Sequence, residues 1–403
     1  MTAPANVAII GAGLSGLALA LSLHKQSIPC IMYEARSASL DIGGAIMLSP
    51  NALRILDALG IYDRIRVHGF EFHNLYFRSA EDEPKDSYEF GNLEKYGYRG
   101  MRIYRYALID TLVEAIKERG IPIQYGKKFT RVVSETDTAV EWEFDDGTSG
   151  RAACLVGADG IHSRVRKYLY PDLEPRFTNV MAVTAAVPTS QIVFPEGYGM
   201  PVTIMNPTHG AFVIAQQLAD GSECLIGRQK QAPDLDREGW NKLLSDKQWC
   251  VDFLRDGVED YPPIVKSAVS NIPLNKINLW PFYVVPKLDR WASKHSRVVI
   301  LGDAAHAIPP TAGQGINQAF EDVYTYALIL SQCRQEDLER GLKLWQKGRQ
   351  ERIDRVLALN KQVDARRMPK DQGAGQSDLE NEEFDLEWLY SPDFDQMVRG
   401  WLG

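Results

Sequence analysis

Gly11, Gly13 and Gly16 form a Gly-x-Gly-x-x-Gly run, and Glu34 stands 23 residues after the first of them. Residues Asn6 to Ile10 before the run read as a buried strand, and Leu14 to Gln26 after it read as a helix. That spacing can hold a diphosphate. Gly11 permits a tight turn, Gly13 lets bare backbone approach the phosphates, and Gly16 lets the helix sit close to the strand. Backbone amides of the first helical turn, around Leu14 and Ser15, can then point at the anion, whose charge the helix dipole favours. Glu34 follows a second short apolar strand, Pro29 to Tyr33. A carboxylate there can accept both hydroxyls of an adenosine ribose and would repel a 2′-phosphate, so the site suits FAD or NAD and not NADP.

Two later segments carry further acids. One is Leu155-Val-Gly-Ala-Asp159-Gly160-Ile-His162-Ser163-Arg164-Val-Arg166, and the other runs from Leu301-Gly302-Asp303 to Asp322. Gly302-Asp303 ends an apolar strand and places a carboxylate at a sheet edge, where sugar-like hydroxyls can be bound. Pro309-Pro310 stiffens the chain beyond it. Gly313-Gln314-Gly315-Ile316 then opens a helix with free amides, which can stabilise negative charge on a flat ring system such as a reduced flavin. A second rigid cradle favours FAD over NAD. His162 and His306 lie inside these segments and read as cofactor-binding or helix-capping residues before proton-transfer residues.

The glycine run, the Asp159-Gly160 segment and the Gly302-to-Gly315 segment, with a softer match at Gly44-Ala45-Ile-Met-Leu-Ser-Pro50-Asn51-Ala-Leu-Arg54, are together similar to the single-component FAD-dependent aromatic hydroxylases. That is the family of para-hydroxybenzoate hydroxylase and salicylate hydroxylase, and the resemblance runs over about residues 5 to 400. It implies that Glu34 and neighbouring Arg36 serve the adenosine end, that Arg105 reaches the diphosphate or ribose, and that Asp303 serves the ribityl chain. It implies that Pro310 and Gly313 to Gly315 lie against the isoalloxazine, that Gly44, Ala45 and Ile316 also bind the cofactor, and that Asp159 and Gly160 serve both FAD and NAD(P)H. The implied cofactors are non-covalent FAD, NADPH or NADH as a transient co-substrate, and O2, with no metal. The implied reaction is monooxygenation of a small electron-rich compound, aromatic or enolic, through a C4a-hydroperoxyflavin. Epoxidation, Baeyer–Villiger-type oxidation, antibiotic inactivation, or FAD oxidation without oxygen insertion are the alternatives on such a scaffold.

The substrate side departs from that pattern. Comparable strands of phenol hydroxylases often offer a His or Tyr to the ring, whereas Gly199 to Asn206 offers Met200, Val202, Ile204 and Met205, with Thr203 and Asn206 as polar exceptions that are not bases. An apolar wall of this kind suits a bulky apolar substrate or one already electron-rich. His209, Phe212 and Gln216 are candidate pocket residues, and His73, Tyr76 and Phe77 a candidate opposite wall.

The elements that must position these residues read as an α/β protein, a Rossmann-like FAD-binding domain with an inserted mixed or antiparallel-sheet substrate domain. The expected division is 1–174 with 291–370 for the first, 175–290 for the second, and 371–403 as a linker and terminal segment that packs back. Helices are expected over 51–60, Arg105 to Arg119 and Gly315 to Ser331. Residues 340–370 hold ten Lys/Arg against three acids and read as a charged helix with a solvated face; Lys370 to Asn381 reads as a flexible linker. A chain of 403 residues with net charge −8 fits two interlocked domains with no general attraction to nucleic acid. Five dispersed cysteines fit a reducing compartment, and the apolar stretch Val7 to Leu23 is too short and glycine-broken to span a membrane. The expectation is a cytoplasmic monomer or homodimer acting on a small organic molecule.

Overall fold

Val7–Ile10 is four apolar residues with every side chain buried, a pattern that only a central strand covered on both faces allows. It pairs in parallel with Cys30–Glu34 on one side and Cys154–Gly157 on the other. Val298–Ile300 extends the sheet beyond Cys154–Gly157, and Ile123–Tyr125 extends it beyond Cys30–Glu34, both in parallel. The computed structural model describes residues 6–38, 44–309, 313–367 and 385–403. Pro310 and the expected linker from Lys370 to Asn381 lie outside them.

A second sheet has seven strands in the order Ile277–Val284, Arg176–Pro188, Glu223–Gln231, Gly210–Gln216, Val202–Asn206, Asn74–Ser79 and Pro84–Glu89. Its pairings are antiparallel except where Val202–Asn206 meets Asn74–Ser79 in parallel. The fold is therefore α/β, with a Rossmann-like parallel sheet and a separate mixed sheet. The hairpin at 74–89 comes from a stretch whose sequence reads as irregular. Its alternation is visible at Leu75 and Phe77, but its pairing partner lies more than a hundred residues away. A small sheet of Ala45–Leu48, Gly100–Tyr104 and Phe70–Phe72 sits beside the seven-stranded one.

The expected helices form as Pro50–Ala58, Arg105–Glu118 and Gly315–Gln332. Leu338–Arg367 is a single 30-residue helix, but its charge is not all solvated. Arg349 is fully buried and Arg352 nearly so. Arg349 Nε donates to Asp322 Oδ1 at 2.8 Å, and Arg352 Nε and Nη2 donate to Glu321 at 2.6 and 2.8 Å. A run of cations reads as solvated because its buried acids sit on another helix. Arg352 Nη1 also donates to the Trp388 carbonyl at 2.8 Å, and Leu389 and Tyr390 are buried beside it.

Burial alone would raise the Glu321 and Asp322 carboxyls. The neighbouring groups outweigh it and hold both below their ordinary values: Arg352 and Arg349 around Glu321, His306 and Arg349 around Asp322. A depressed carboxyl stabilises the fold above the unfolded values of about 3.9 to 4.3, and that contribution is lost as pH falls through the lower folded values. Arg349→Ala removes the cation that two buried acids share and should lower the unfolding free energy by about 3–5 kcal/mol. Urea melts at neutral pH measure this, and a loss below about 1 kcal/mol would contradict the assignment.

Candidate functional site

The three glycines of the first turn serve different needs. A Cβ on Gly11, whose φ is +104°, would lie 2.5 Å from the Ala158 carbonyl oxygen, and one on Gly16 would lie 1.9 Å from the Gly11 oxygen. Both are packing positions. A Cβ on Gly13 would meet nothing within 4 Å, so this residue faces open space. Gly13 caps the helix Leu14–Lys25 without a side-chain bond, which leaves the first-turn amides around Leu14 and Ser15 available. Ser15 packs against Gly302, since a Cβ there would lie 2.9 Å from its hydroxyl. Glu34 is buried at the edge of this space. Its Oε2 accepts from Ala12 N at 2.8 Å and its Oε1 from Arg36 N at 2.9 Å, which orients the carboxylate and leaves lone pairs over. The Arg36 guanidinium reaches Glu34 at 3.5 Å and is largely in solvent.

Asp303 opens a short helical turn after Val298–Ile300. Asp303 is exposed at its surface, while the protein around it raises its pKa by desolvation, with His306 and Arg105 pulling the other way. No described residue hydrogen-bonds that carboxylate. Arg105 is half-buried, its guanidinium lowered by burial and raised by the Asp303 charge, and it too makes no side-chain hydrogen bond or ion pair among the described residues. The carboxylate and the guanidinium thus feel each other without a hydrogen bond or ion pair between them. His306 is held behind them: its Nε2 meets Asp322 Oδ2 at 2.5 Å and its ring lies 5.0 Å from that of Trp291. His306 is therefore a support for the Asp303 turn. His162 is exposed, with its ring 6.1 Å from that of Tyr283.

Gly313 has a φ of +64°, and a Cβ there would press on Met47 and Phe90 at 3.1 Å. The helix Gly315–Gln332 starts with no side-chain cap, and a Cβ on Gly315 would meet nothing. Gly315 and Ile316 are only half-buried. Asn317 ties this start to the Ala45–Leu48 strand by donating to Gly313 O at 2.7 Å and Met47 O at 3.2 Å. Gln314 donates to Ser49 Oγ at 3.0 Å while its own Oε1 is buried without a partner. Gly44 accepts from Arg105 N at 3.3 Å, and Ala45 follows half-buried. Open Gly13, two uncapped helix starts, an unbonded carboxylate and an unbonded guanidinium match the chemistry of a long dinucleotide with a diphosphate at its centre. Among the described residues no cluster of His, Cys, Asp or Glu could hold a metal.

Asp159 is differently employed. Its carboxylate accepts from Ser163 Oγ at 2.5 Å and from the amides of Arg164 and Val165 at 2.7 and 3.1 Å, so it shapes its own turn beneath Gly11. Gly160 follows with φ +77° and open space at its Cβ position. Arg166, which sequence reasoning gave no role, is buried and donates to Ile161 O at 2.6 Å and Ala304 O at 3.0 Å. It bolts the Asp159 segment to the Asp303 segment. No local pattern marks it out for that.

The seven-stranded sheet sorts the substrate-side candidates by face. Val202, Ile204, Phe212, Ile214, Cys224 and Ile226 pack into one apolar cluster with Leu254, Tyr261 and Ile264. Alternation turns Thr203, Met205, Ala211, Val213, Ala215 and Leu225 to the other face, where Leu225 reaches Gly44. Met205 belongs to that second face. Phe212 is fully buried on the first face, its ring 5.8 Å from that of Tyr261. His209 bonds Asp260 Oδ2 at 2.9 Å on the same side. Met200 and Tyr76 pack at the edge of that cluster, Phe77 is buried in another with Tyr88 and Phe90, Gln216 is half-buried near Gly221, and His73 is exposed. The structure therefore does not gather these candidates into one pocket. Tyr104 and Gln217 are residues that sequence reasoning missed: Gln217 Nε2 donates to Tyr104 Oη at 2.7 Å, and Tyr104 donates to Glu223. The alternation of Met101-Arg-Ile-Tyr104 was the available signal, with its odd-numbered members in the main core.

The family described as FAD binding domain matches residues 4–359. A 6-hydroxynicotinate 3-monooxygenase of Bordetella bronchiseptica is 27% identical over 362 residues, covering 88% of this chain and 90% of its own. A 3-amino-4-hydroxybenzoate 2-monooxygenase of Streptomyces cremeus is 31% identical over 325 residues, covering 79% and 77% respectively. A salicylate hydroxylase solved as a substrate complex matches with a TM-score of 0.78 at 21% identity over 98% of each chain, a likeness of fold. Gly13→Val should fold normally, because the added atoms enter open space, and should weaken FAD binding at least about a hundredfold. Fluorescence titration measures this, and an unchanged dissociation constant would refute the role of that space.

Proposed function

The chain belongs to the FAD binding domain family, that of the FAD-dependent aromatic hydroxylases, and from that premise we propose that it uses NAD(P)H and O2 to hydroxylate a small electron-rich aromatic or enolic compound. It is an FAD-dependent monooxygenase. The observation that carries the reading is the pair Asp303 and Arg105, an acid and a guanidinium left unbonded among the described residues, with Gly13 open to space.

In this reading the amides after Gly13 and the Arg105 guanidinium hold the diphosphate. Glu34, oriented by Ala12 N, takes the adenosine ribose, with Arg36 alongside. Asp303 takes the ribityl hydroxyls, and the amides of Gly315 and Ile316 face the flavin's pyrimidine edge, with Gly44 and Ala45 against the ring. Asp159 and Gly160 act indirectly by shaping the ground under Gly11. FAD held by these residues would supply the redox chemistry, hydride acceptance from NAD(P)H and electron transfer to O2. The chain's own task is to place the substrate and exclude water, since reduced oxygen otherwise escapes as hydrogen peroxide. The sheet face with Met205, Val213, Ala215 and Leu225 suits that task because these four side chains are apolar and none of them is a base. The body that holds FAD comprises 1–174 with 291–370, and the substrate domain is 175–290 with the hairpin at 74–89 added to its sheet. Among the described residues no helix is long and apolar enough to cross a membrane, and the five cysteines are unpaired, which fits a reducing cytoplasm.

Asp303→Asn should keep the shape of the turn and lower FAD affinity about ten- to a hundredfold, by removing a charge-assisted acceptor. FAD content and dissociation constant measure it, and wild-type affinity would remove Asp303 from the site. For the reaction, NAD(P)H consumption with 18O2 should deliver one labelled oxygen atom into the organic product. Product formed without label would leave an FAD oxidoreductase in place of a monooxygenase.

A further inference from the structure

Six arginines of the described chain are buried: Arg102, Arg166, Arg228, Arg297, Arg349 and Arg352. Five of them donate to carbonyls or carboxylates. Arg102 does not. It is 6% exposed, its Nε is out of solvent with no partner, and its guanidinium makes no hydrogen bond or ion pair with any described residue. Burial pushes it down to about 10, and the groups it feels in return are Tyr104 and Cys224, neither of them a carboxylate. An unpaired buried guanidinium costs stability, and a protein keeps one where something else provides the counter-charge.

Its place in the fold says where that counter-charge comes from. Arg102 lies mid-strand, directly across from Met47 and from Phe70, on the face that also carries Tyr104. Met47 abuts the Gly313 turn, Gly44 on the same strand's approach reaches Leu225, and Tyr104 joins Gln217 and Glu223 of the seven-stranded sheet. This face is the seam between the Gly313 loop and the sheet face assigned above to the substrate. Glu223 is already ion-paired to Lys276 and bonded to Tyr104, so it leaves Arg102 uncompensated. Gln217 Oε1 in the same seam is a buried acceptor that also lacks a partner.

We propose that Arg102 is the specificity-determining residue of the substrate site, and that the substrate carries a carboxylate or an equally acidic oxyanion that binds its guanidinium, with Gln217 Oε1 accepting from a hydroxyl or amino group next to it. The inference rests on the FAD-monooxygenase reading and deepens it. The apolar sheet face then contacts the ring, while the charged end lies in the seam. A substrate that is apolar throughout, as the Met200–Met205 stretch suggests when read alone, would leave both groups unpaired.

The probes are 2-hydroxybenzoate, which presents an anion beside a hydroxyl, and 2-hydroxybenzamide, its neutral counterpart. Each is titrated into the FAD-loaded protein and followed by the flavin absorbance change. Wild type should bind the anion at least about tenfold tighter than the amide. Arg102→Gln should abolish that preference by weakening the anion alone, and Arg102→Lys should restore part of it. FAD affinity should stay within about twofold, and the melting temperature of Arg102→Met should not fall, because an uncompensated charge has left the interior. No preference for the anion in wild type, or equal loss of both probes in Arg102→Gln, would overturn the proposal. So would a tenfold loss of FAD affinity with the probe ratio intact, which would place Arg102 on the cofactor. A wild-type protein that takes up no FAD would instead overturn the function reading itself.

Discussion

Two adjacent acids, Glu321 and Asp322, sit with no solvent exposure in the middle of a buried helix, and most of the site is referenced to them. Two uncompensated carboxylates in that position would be untenable. Arg349 and Arg352 from the 30-residue helix make them tenable, and Arg352 also takes carbonyls of the terminal segment. In front, Asn51 donates to Glu321 at 2.7 Å and links through Ser49 to Gln314 at the start of the same helix. Asp322 accepts from Gly302 N at 2.9 Å and from His306, which fixes the turn that presents Asp303. Segments near 50, 303, 315, 350 and 388 thus meet at one charged core, and the cofactor crevice inherits its rigidity from it.

What that rigidity holds is a set of groups kept deliberately short of partners. Asp303 and Arg105 sense each other without bonding, Gly13 faces open space, and two helices begin without side-chain caps. A dinucleotide with hydroxyls, a diphosphate and a polar ring edge would give these groups partners. Arg102 and Gln217 extend the same logic to the neighbouring seam. Among the described residues the other buried arginines each donate to at least one carbonyl or carboxylate, so the contrast with Arg102 is local.

The cofactor half of this was legible in the residues because its signals are local. A glycine turn between an apolar strand and a helix, an acid at the next strand end, and Gly302-Asp303 after an apolar run each need only a few neighbouring positions. The substrate half was not, because strand faces alternate residue by residue and a small offset changes the face. Phe212 and Met205 both read as pocket residues, yet their partners in the sheet send them to opposite sides. Arg349 and Arg352 look solvated until the acids they meet, on a helix earlier in the chain, are known. Asp159 carries a motif associated with cofactor contact, and its oxygens turn out to be bonded within its own loop. Arg166 and Arg102 are ordinary in sequence and acquire meaning only from which carbonyls they reach or fail to reach.

If one crevice grips both ends of a flavin dinucleotide, the two ends must contribute together. Titrating the cofactor-free protein with FAD, FMN and NAD, each followed by fluorescence, tests this most directly. FAD should bind at least about a hundredfold tighter than FMN, which lacks the adenosine half proposed for the Gly11–Glu34 region, and far tighter than NAD, which lacks the ring and ribityl chain proposed for Asp303 and Gly315. FMN binding as tightly as FAD, or NAD displacing it, would contradict the assignment of a single continuous FAD cradle.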